Sequence, residues 1–250
     1  MGSPSDGGRG RVALVTGAGS GIGRAIALRL AADGHAVAAA DLNLAGAEAT
    51  ASVGSTVTAF EVDVADQTSV EALVGEVAAS VGPPHILVNC AGWDEFRPFL
   101  DTDRAFWDRI VAINYLGVVA LSHAVVPLMI ESGAGGRVVN IASDAGRVGS
   151  TGEAVYAGAK GGVIAFSKSL ACEVARHAIT VNAVCPGPAD TPLFQGFPER
   201  IRQSLQRSIP LGRLAEPDDV AHAVAYFASP GAGYVTGQVL SVSGGLTMSG

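Results

Sequence analysis

Cysteine and charge are both scarce in this chain. The three cysteines among 250 residues, Cys90, Cys172 and Cys185, show no C-x-x-C spacing. That excludes a disulfide framework and a Cys-rich zinc site, and fits reduced thiols in a cytoplasmic protein. Charged residues make up only 16%, and 16 basic against 23 acidic side chains leave a formal net charge of −7. A nucleic-acid surface needs clustered Lys and Arg, so no nucleic-acid partner is expected. No apolar run reads as reaching the roughly 18 residues that span a bilayer, and the opening MGSPSDGGRG has no apolar signal core. The expectation is a chain with no membrane partner: a flexible leader over residues 1–10, then one domain over 11–250. No His, Cys or acidic cluster has ligand spacing, so no metal is expected. The five histidines are scattered and receive no role.

What is abundant is apolar surface, 48% of residues, and glycine, 33 of them. Short β-branched or apolar runs predict strands at Val12–Thr16, Ala36–Ala40, Val57–Val62, Ile86–Asn89, Arg137–Ala142, Thr180–Val184 and Gln238–Val242. Longer amphipathic stretches between them predict helices over Gly21–Asp33, Thr68–Val81, Arg104–Ser132, Ala154–His177 and Pro217–Ser229. Gly34 stops the first helix, Asp66 caps another, and Pro217 suits a first helical turn. This alternation predicts an α/β fold, a single Rossmann-like doubly wound parallel sheet of about seven strands with helices on both faces. One segment breaks the rhythm. Residues Pro188 to Gly212, with Pro192, Pro198 and Pro210 inside, read as a long excursion suited to a substrate lid.

The first strand runs into TGAGSGIG, Thr16 to Gly23. Glycines there let backbone approach a pyrophosphate, and the helix that follows offers free N–H groups and a positive dipole end. The spacing is not G-x-G-x-x-G, so the segment alone is also compatible with a ligand-free turn. Asp41 closes the second strand, where a carboxylate can accept hydrogen bonds from ribose hydroxyls and would repel a 2′-phosphate. Ser20 and Leu42 offer no cation for that phosphate, so NAD is favoured over NADP. Asp41 opening the next helix is the competing role. Asp63-Val64 and Asn89-Cys90-Ala91-Gly92 follow the third and fourth strands, at the edge where parallel sheets bind ligands. The cofactor set is therefore Gly17, Ser20, Gly21, Ile22, Gly23, Asp41, Leu42, Asp63, Val64, Asn89, Ala91 and Gly92.

Ser143 follows the fifth strand, and Tyr156 and Lys160 stand one helical turn apart in YAGAK. A phenol titrates near 10, and bringing it to about 7 takes roughly 4 kcal/mol. A neighbouring ammonium and a cationic nicotinamide are expected to supply this. Tyr156 then serves as acid/base on a secondary alcohol, with Ser143 holding the reacting oxygen and Lys160 assisting.

The ordered set TGAGSGIG, Asp63-Val64, NCAG, Asn114 in INYLG, Ser143, YAGAK and PGPADT resembles the short-chain dehydrogenase/reductase family over nearly the whole chain. That resemblance implies a homodimer or homotetramer. It also implies Asn114 in a proton relay, Tyr156 and Lys160 at the ribose and nicotinamide, and Pro186, Gly187, Ala189 and Thr191 along the nicotinamide. Cys90 departs from the usual Asn. AGWDEFRPF, NIASDAGRVGS, GEAVYAGAKGG, IPLGRL and GQVLSVSGGLTM resemble, more narrowly, the 2-hydroxycyclohexanecarboxyl-CoA dehydrogenases. That implies an acyl-CoA thioester substrate, with Arg97, Arg147, Arg200, Arg202 and Arg207 as candidates for the CoA phosphates and Trp93 as a pocket wall or as core packing. A 3-oxoacyl-thioester reductase and a polyol or cyclic-alcohol dehydrogenase are the enzyme alternatives. A silent NAD-binding regulator is disfavoured because Ser143, Tyr156 and Lys160 are all present.

Overall fold

The computed structural model describes residues 10–248; the leader expected over residues 1–10 falls almost wholly outside them. Seven strands form one parallel sheet in the order β3-β2-β1-β4-β5-β6-β7. They are β1 Val12–Thr16, β2 Ala36–Asp41, β3 Val57–Glu61, β4 Ile86–Asn89, β5 Gly136–Ile141, β6 Ile179–Pro186 and β7 Val239–Val242. The helices are α1 Gly21–Ala32, α2 Leu44–Ala51, α3 Gln67–Ser80, α4 Arg104–Val111, α5 Gly117–Ser132, α6 Ala145–Val148, α7 Ala154–Val174, α8 Pro192–Gln195, α9 Glu199–Ser208 and α10 Pro217–Ala228.

The central strands β1, β4, β5 and β6 are buried throughout, as expected of a sheet covered on both faces. Alternate residues of β1 serve opposite layers. Val12 and Leu14 pack with Leu73 and Val77 of α3 and Leu121 and Val125 of α5. Ala13 and Val15 pack with Ile26 and Leu30 of α1 and Val220 and Val224 of α10. Helix ends follow local chemistry: the Asp66 carboxylate accepts from the Thr68 N–H at 2.9 Å, Gly34 takes φ +91° after α1, and Pro217 opens α10 inside a Glu216–Asp219 capping box.

The predicted helix Arg104–Ser132 is continuous but contains a π turn, Ala112–Leu116, between α4 and α5. It also corrects an expectation: with a mean hydropathy of 1.8 over its most apolar window, this stretch is long and apolar enough to cross a membrane. Here Leu121, Val125 and Met129 of α5 are buried within the core instead.

A polar chain crosses the interior. The Asn89 amide donates to Asn140 Oδ1 at 2.8 Å, and the Asn140 amide donates to Ser167 Oγ at 2.8 Å. It ties β4, β5 and α7 in one register, so the end of β5 is fixed against the helix that carries the tyrosine.

Candidate active site

The strand order reverses between β1 and β4, and in open parallel sheets the crevice at such a reversal, beyond the carboxyl ends of the strands, holds ligands. Thr16 closes it at the base: its Oγ1 accepts from the N–H groups of Cys90 and Ala91, both at 3.2 Å. The glycine turn is compressed against this join. A Cβ on Gly17 would stand 2.9 Å from Ala91 Cα, and one on Gly23 would stand 2.1 Å from the Gly17 carbonyl oxygen. Ser20, the N-cap of α1, makes no side-chain capping bond, and the first turn of α1 holds no acid. The first-turn amides are thus left for an outside acceptor such as a pyrophosphate, and the cradle fits one. Gly21 lies against Thr191, whose Cγ2 would be 3.4 Å from an added Cβ. The two predicted sides of the dinucleotide crevice therefore meet.

Asp41 is already engaged. Its Oδ2 accepts from Gly19 N–H at 2.8 Å and its Oδ1 from Asn43 N–H at 2.9 Å. Asn43, not Asp41, is the N-cap of α2. The carboxylate thus stands beside the glycine turn with its second lone pairs free for ribose hydroxyls. Leu42 is exposed beside it. Asp63 is exposed and accepts from Ala65 N–H at 2.9 Å, Val64 is buried, and the Asn89 side chain turns into the core, leaving its backbone at the sheet edge. Pro186 ends β6, Gly187 N–H donates to Val242 O at 3.0 Å, and Ala189 pairs with Ala215.

At the other end, β5 delivers Ser143 and α7 delivers Tyr156 and Lys160. The Ser143 hydroxyl hydrogen-bonds the phenol, while burial, together with Asp94 and Glu153, pushes the phenol above its usual range. Lys160 Nζ lies 5.7 Å from the Tyr156 ring centroid but donates to Ile141 O at 2.8 Å. Burial brings that ammonium down to about 8. The helical spacing thus does put Lys160 beside the tyrosine, with one of its N–H groups engaged by a strand carbonyl, while in the chain by itself burial and the two acids raise the phenol. Asn114 sits in the π turn, fully buried. Its amide donates to Trp93 O at 2.7 Å and Ile110 O at 3.0 Å, and its oxygen accepts from Trp93 N–H at 3.2 Å. A Cβ on Gly92 would lie 3.1 Å from Asn114 Oδ1 and 3.7 Å from Lys160 Nζ, so both groups border one small space.

Other expectations divide. Trp93 stacks edge-on with Phe106 at 5.7 Å and lies under the Arg109 guanidinium at 3.7 Å, packed on α4 rather than beneath the excursion. Arg147 is drawn inward to Asp144 at 3.3 Å, Arg97 pairs with Glu95, and Arg202 pairs with Glu199. Arg200 and Arg207 stay exposed on α9. The excursion is helical, α8 and α9, and returns through the Ala189–Ala215 bridge. Sequence reasoning missed Phe96, which joins the excursion at Phe197 with centroids 5.9 Å apart. It also missed Asp94 and Glu153. The signal for the former was an acid set between aromatics in WDEF.

A family model described as enoyl-(acyl carrier protein) reductase matches residues 17–247. A short-chain dehydrogenase/reductase of Armillaria gallica is 38% identical over 254 residues, covering 95% of this chain and 96% of the relative. The chain belongs to the short-chain dehydrogenase/reductase family. It is an oxidoreductase acting on CH–OH groups with a nicotinamide cofactor. The (3R)-3-hydroxyacyl-CoA dehydrogenase of Mus musculus is 42% identical over 252 residues, covering 96% of this chain and 97% of the relative. The 3-ketoacyl-(acyl-carrier-protein) reductase of Brucella melitensis, solved in complex with NADH, superposes with a TM-score of 0.91 at 35% identity, covering 96% and 99% of the two chains.

Proposed function

We propose that this family member oxidises the secondary alcohol of a 3-hydroxyacyl-CoA to the β-keto thioester with NAD, and that a cyclic substrate such as 2-hydroxycyclohexanecarboxyl-CoA is accepted. The observation that carries the reading is Asp41. Its carboxylate sits against the glycine turn on two backbone N–H groups, where it favours ribose hydroxyls over a 2′-phosphate. The thioester class is supported by the name of the mouse relative and by exposed Arg200 and Arg207 on α9, at the rim of the excursion. Localisation in the cytoplasm and assembly as a homodimer or homotetramer complete the proposal.

When bound, the nicotinamide supplies the hydride acceptor and a positive charge. Everything else falls to the chain. Tyr156 takes the hydroxyl proton, and Ser143, bonded to the phenol, holds the reacting oxygen. Lys160, anchored on Ile141 O, is positioned for the ribose, and Asn114 borders the path by which the proton leaves. The excursion α8–α9 covers the substrate. A second reading, reduction of a 3-oxoacyl thioester, is favoured by the Brucella neighbour; it uses the same residues with the proton moving the other way.

The test is cofactor reduction with NAD and with NADP. The substrates are 2-hydroxycyclohexanecarboxyl-CoA, a linear 3-hydroxyacyl-CoA and free cyclic alcohols. NAD-dependent turnover of the thioesters is expected. Turnover of free alcohols alone would remove the thioester assignment, and a preference for NADP would move the reductase to first place.

A further inference from the structure

Asp94 is buried, with 7% of its surface exposed, and among the described residues neither carboxyl oxygen makes a hydrogen bond of good geometry, its polar neighbours being the Glu153 carboxyl and the Glu95 N–H. A buried, unpaired polar group in a folded protein calls for an explanation. Asp94 lines a cleft with Tyr156, Glu153, Phe99, Phe106 and Arg97. The catalytic tyrosine and two further aromatic rings thus share this lining with the two acids. Arg97 does not neutralise Asp94, because its guanidinium is paired with Glu95 and stacked at 4.8 Å over Phe106. Glu153, at the start of α7, faces Asp94 and accepts from the Ser150 hydroxyl. Lys160 is the cation whose charge acts on Asp94, and it is held by Ile141 O.

Nothing in alcohol oxidation requires this second polar feature, since Ser143 and Tyr156 already serve the reacting oxygen. A 3-hydroxyacyl thioester brings a second oxygen, the thioester carbonyl, two carbons from the reacting carbon. We propose that Asp94 is a substrate-binding residue, its carboxyl donating a hydrogen bond to that carbonyl, with Glu153 as the neighbour that keeps the donor proton in place. The inference rests on the hydroxyacyl-thioester reading above and deepens it. Burial and the adjacent Glu153 carboxyl bring Asp94 up to about 8, so it carries the proton through neutral pH.

The experiment uses the NADH-loaded protein and calorimetric binding of two ketones, acetoacetyl-CoA and S-(3-oxobutyl)-CoA. They share the chain and the ketone, and only the first has the thioester carbonyl. Wild type is expected to bind acetoacetyl-CoA at least tenfold more tightly. Asp94→Ala is expected to abolish that difference, and Asp94→Asn, which keeps a donor of similar shape, to retain most of it. In wild type the difference collapses above about pH 8, in Asp94→Asn it does not, and in Glu153→Gln the collapse comes at lower pH. Equal affinity for the two ketones in wild type, or an undiminished difference in Asp94→Ala, overturns the role of Asp94 alone. Absence of both acetoacetyl-CoA binding and hydroxyacyl-CoA turnover in wild type overturns the underlying function as well. Acetoacetyl-CoA binding also separates a folded variant from a collapsed one, because Asp94→Asn has to bind where Asp94→Ala does not discriminate.

Discussion

Asp41 and Asp94 belong to opposite halves of the same sheet edge and are treated in opposite ways. Asp41 is held by two backbone N–H groups in a glycine-rich turn, set before any ligand arrives. Asp94 is buried beside aromatic rings and the Glu153 carboxyl, with neither oxygen in a well-formed hydrogen bond. The dinucleotide half presents a finished surface of main-chain donors to a ligand whose shape never varies. The substrate half holds polar groups in an unfavourable state that a ligand must complete. Preorganisation lowers the cost of binding the first; incompleteness makes the second selective, because a substrate lacking the matching atom leaves the buried group unpaired.

The sharpest division of the two halves comes from Tyr156→Phe. Loss of the acid/base group is expected to lower kcat by about 10³-fold while leaving NADH binding, followed by fluorescence, unchanged; unaltered turnover would remove Tyr156 from the chemistry. Asp41→Ala should do the reverse. It is expected to weaken NAD by roughly 10- to 100-fold, the worth of a hydrogen bond to a charged group, and to narrow the preference over NADP, with single-turnover chemistry nearly intact. An equal loss for both cofactors would mean that Asp41 only shapes the turn. Gly23→Ala places a Cβ 2.1 Å from Gly17 O and is expected to cost about 1–3 kcal/mol as overpacking, read as a lower Tm and a weaker NADH complex. The smallest effect is in pH. Asp94 is raised to about 8 in the folded chain against about 4 when unfolded. Between those values the folded state holds a proton the unfolded state has released, so this group's contribution to stability falls as pH climbs from 4 towards 8 and is flat beyond. Lys160, held down to about 8, acts in the opposite sense, and only above that pH. Scanning calorimetry at pH 5 and pH 8 should therefore show the Tm of Asp94→Asn gaining on wild type at the higher value. No relative gain would mean the carboxyl is already ionised at pH 5.

The sheet was legible because its strands are short apolar runs. β1 and β4 fall where the pattern predicts, and the others differ by a residue or two at their ends. Helix α2 was not legible, since the Ala-rich LAGAEATA has no clear apolar face. In the site, the glycine turn, Asp41, Ser143, Tyr156 and Lys160 could be placed from strand ends and helical spacing. Spacing gives proximity but not the partner a charge chooses. Nothing local to YAGAK says that Lys160 will bond Ile141 O, and WDEF marks acids between aromatics without saying that Asp94 rather than Glu95 will be buried, because its neighbours Glu153 and Tyr156 arrive at the start of α7, far along the chain. Arg147 belongs with these: its sequence reads as a surface cation, and only the fold brings it to Asp144.

The excursion between β6 and α10 leaves and rejoins the body through the paired Ala189 and Ala215, with Asp190 N–H donating to Ala215 O at 2.8 Å and Ala215 N–H to Pro188 O at 3.0 Å. A segment stapled at its root in this way behaves as an exchangeable cassette. The residues between Thr191 and Leu211 can be lengthened, shortened or replaced while the sheet, the glycine turn and the tyrosine helix keep their register. Substrate range in such a scaffold can diverge by changing about twenty residues, with the chemistry beneath them untouched.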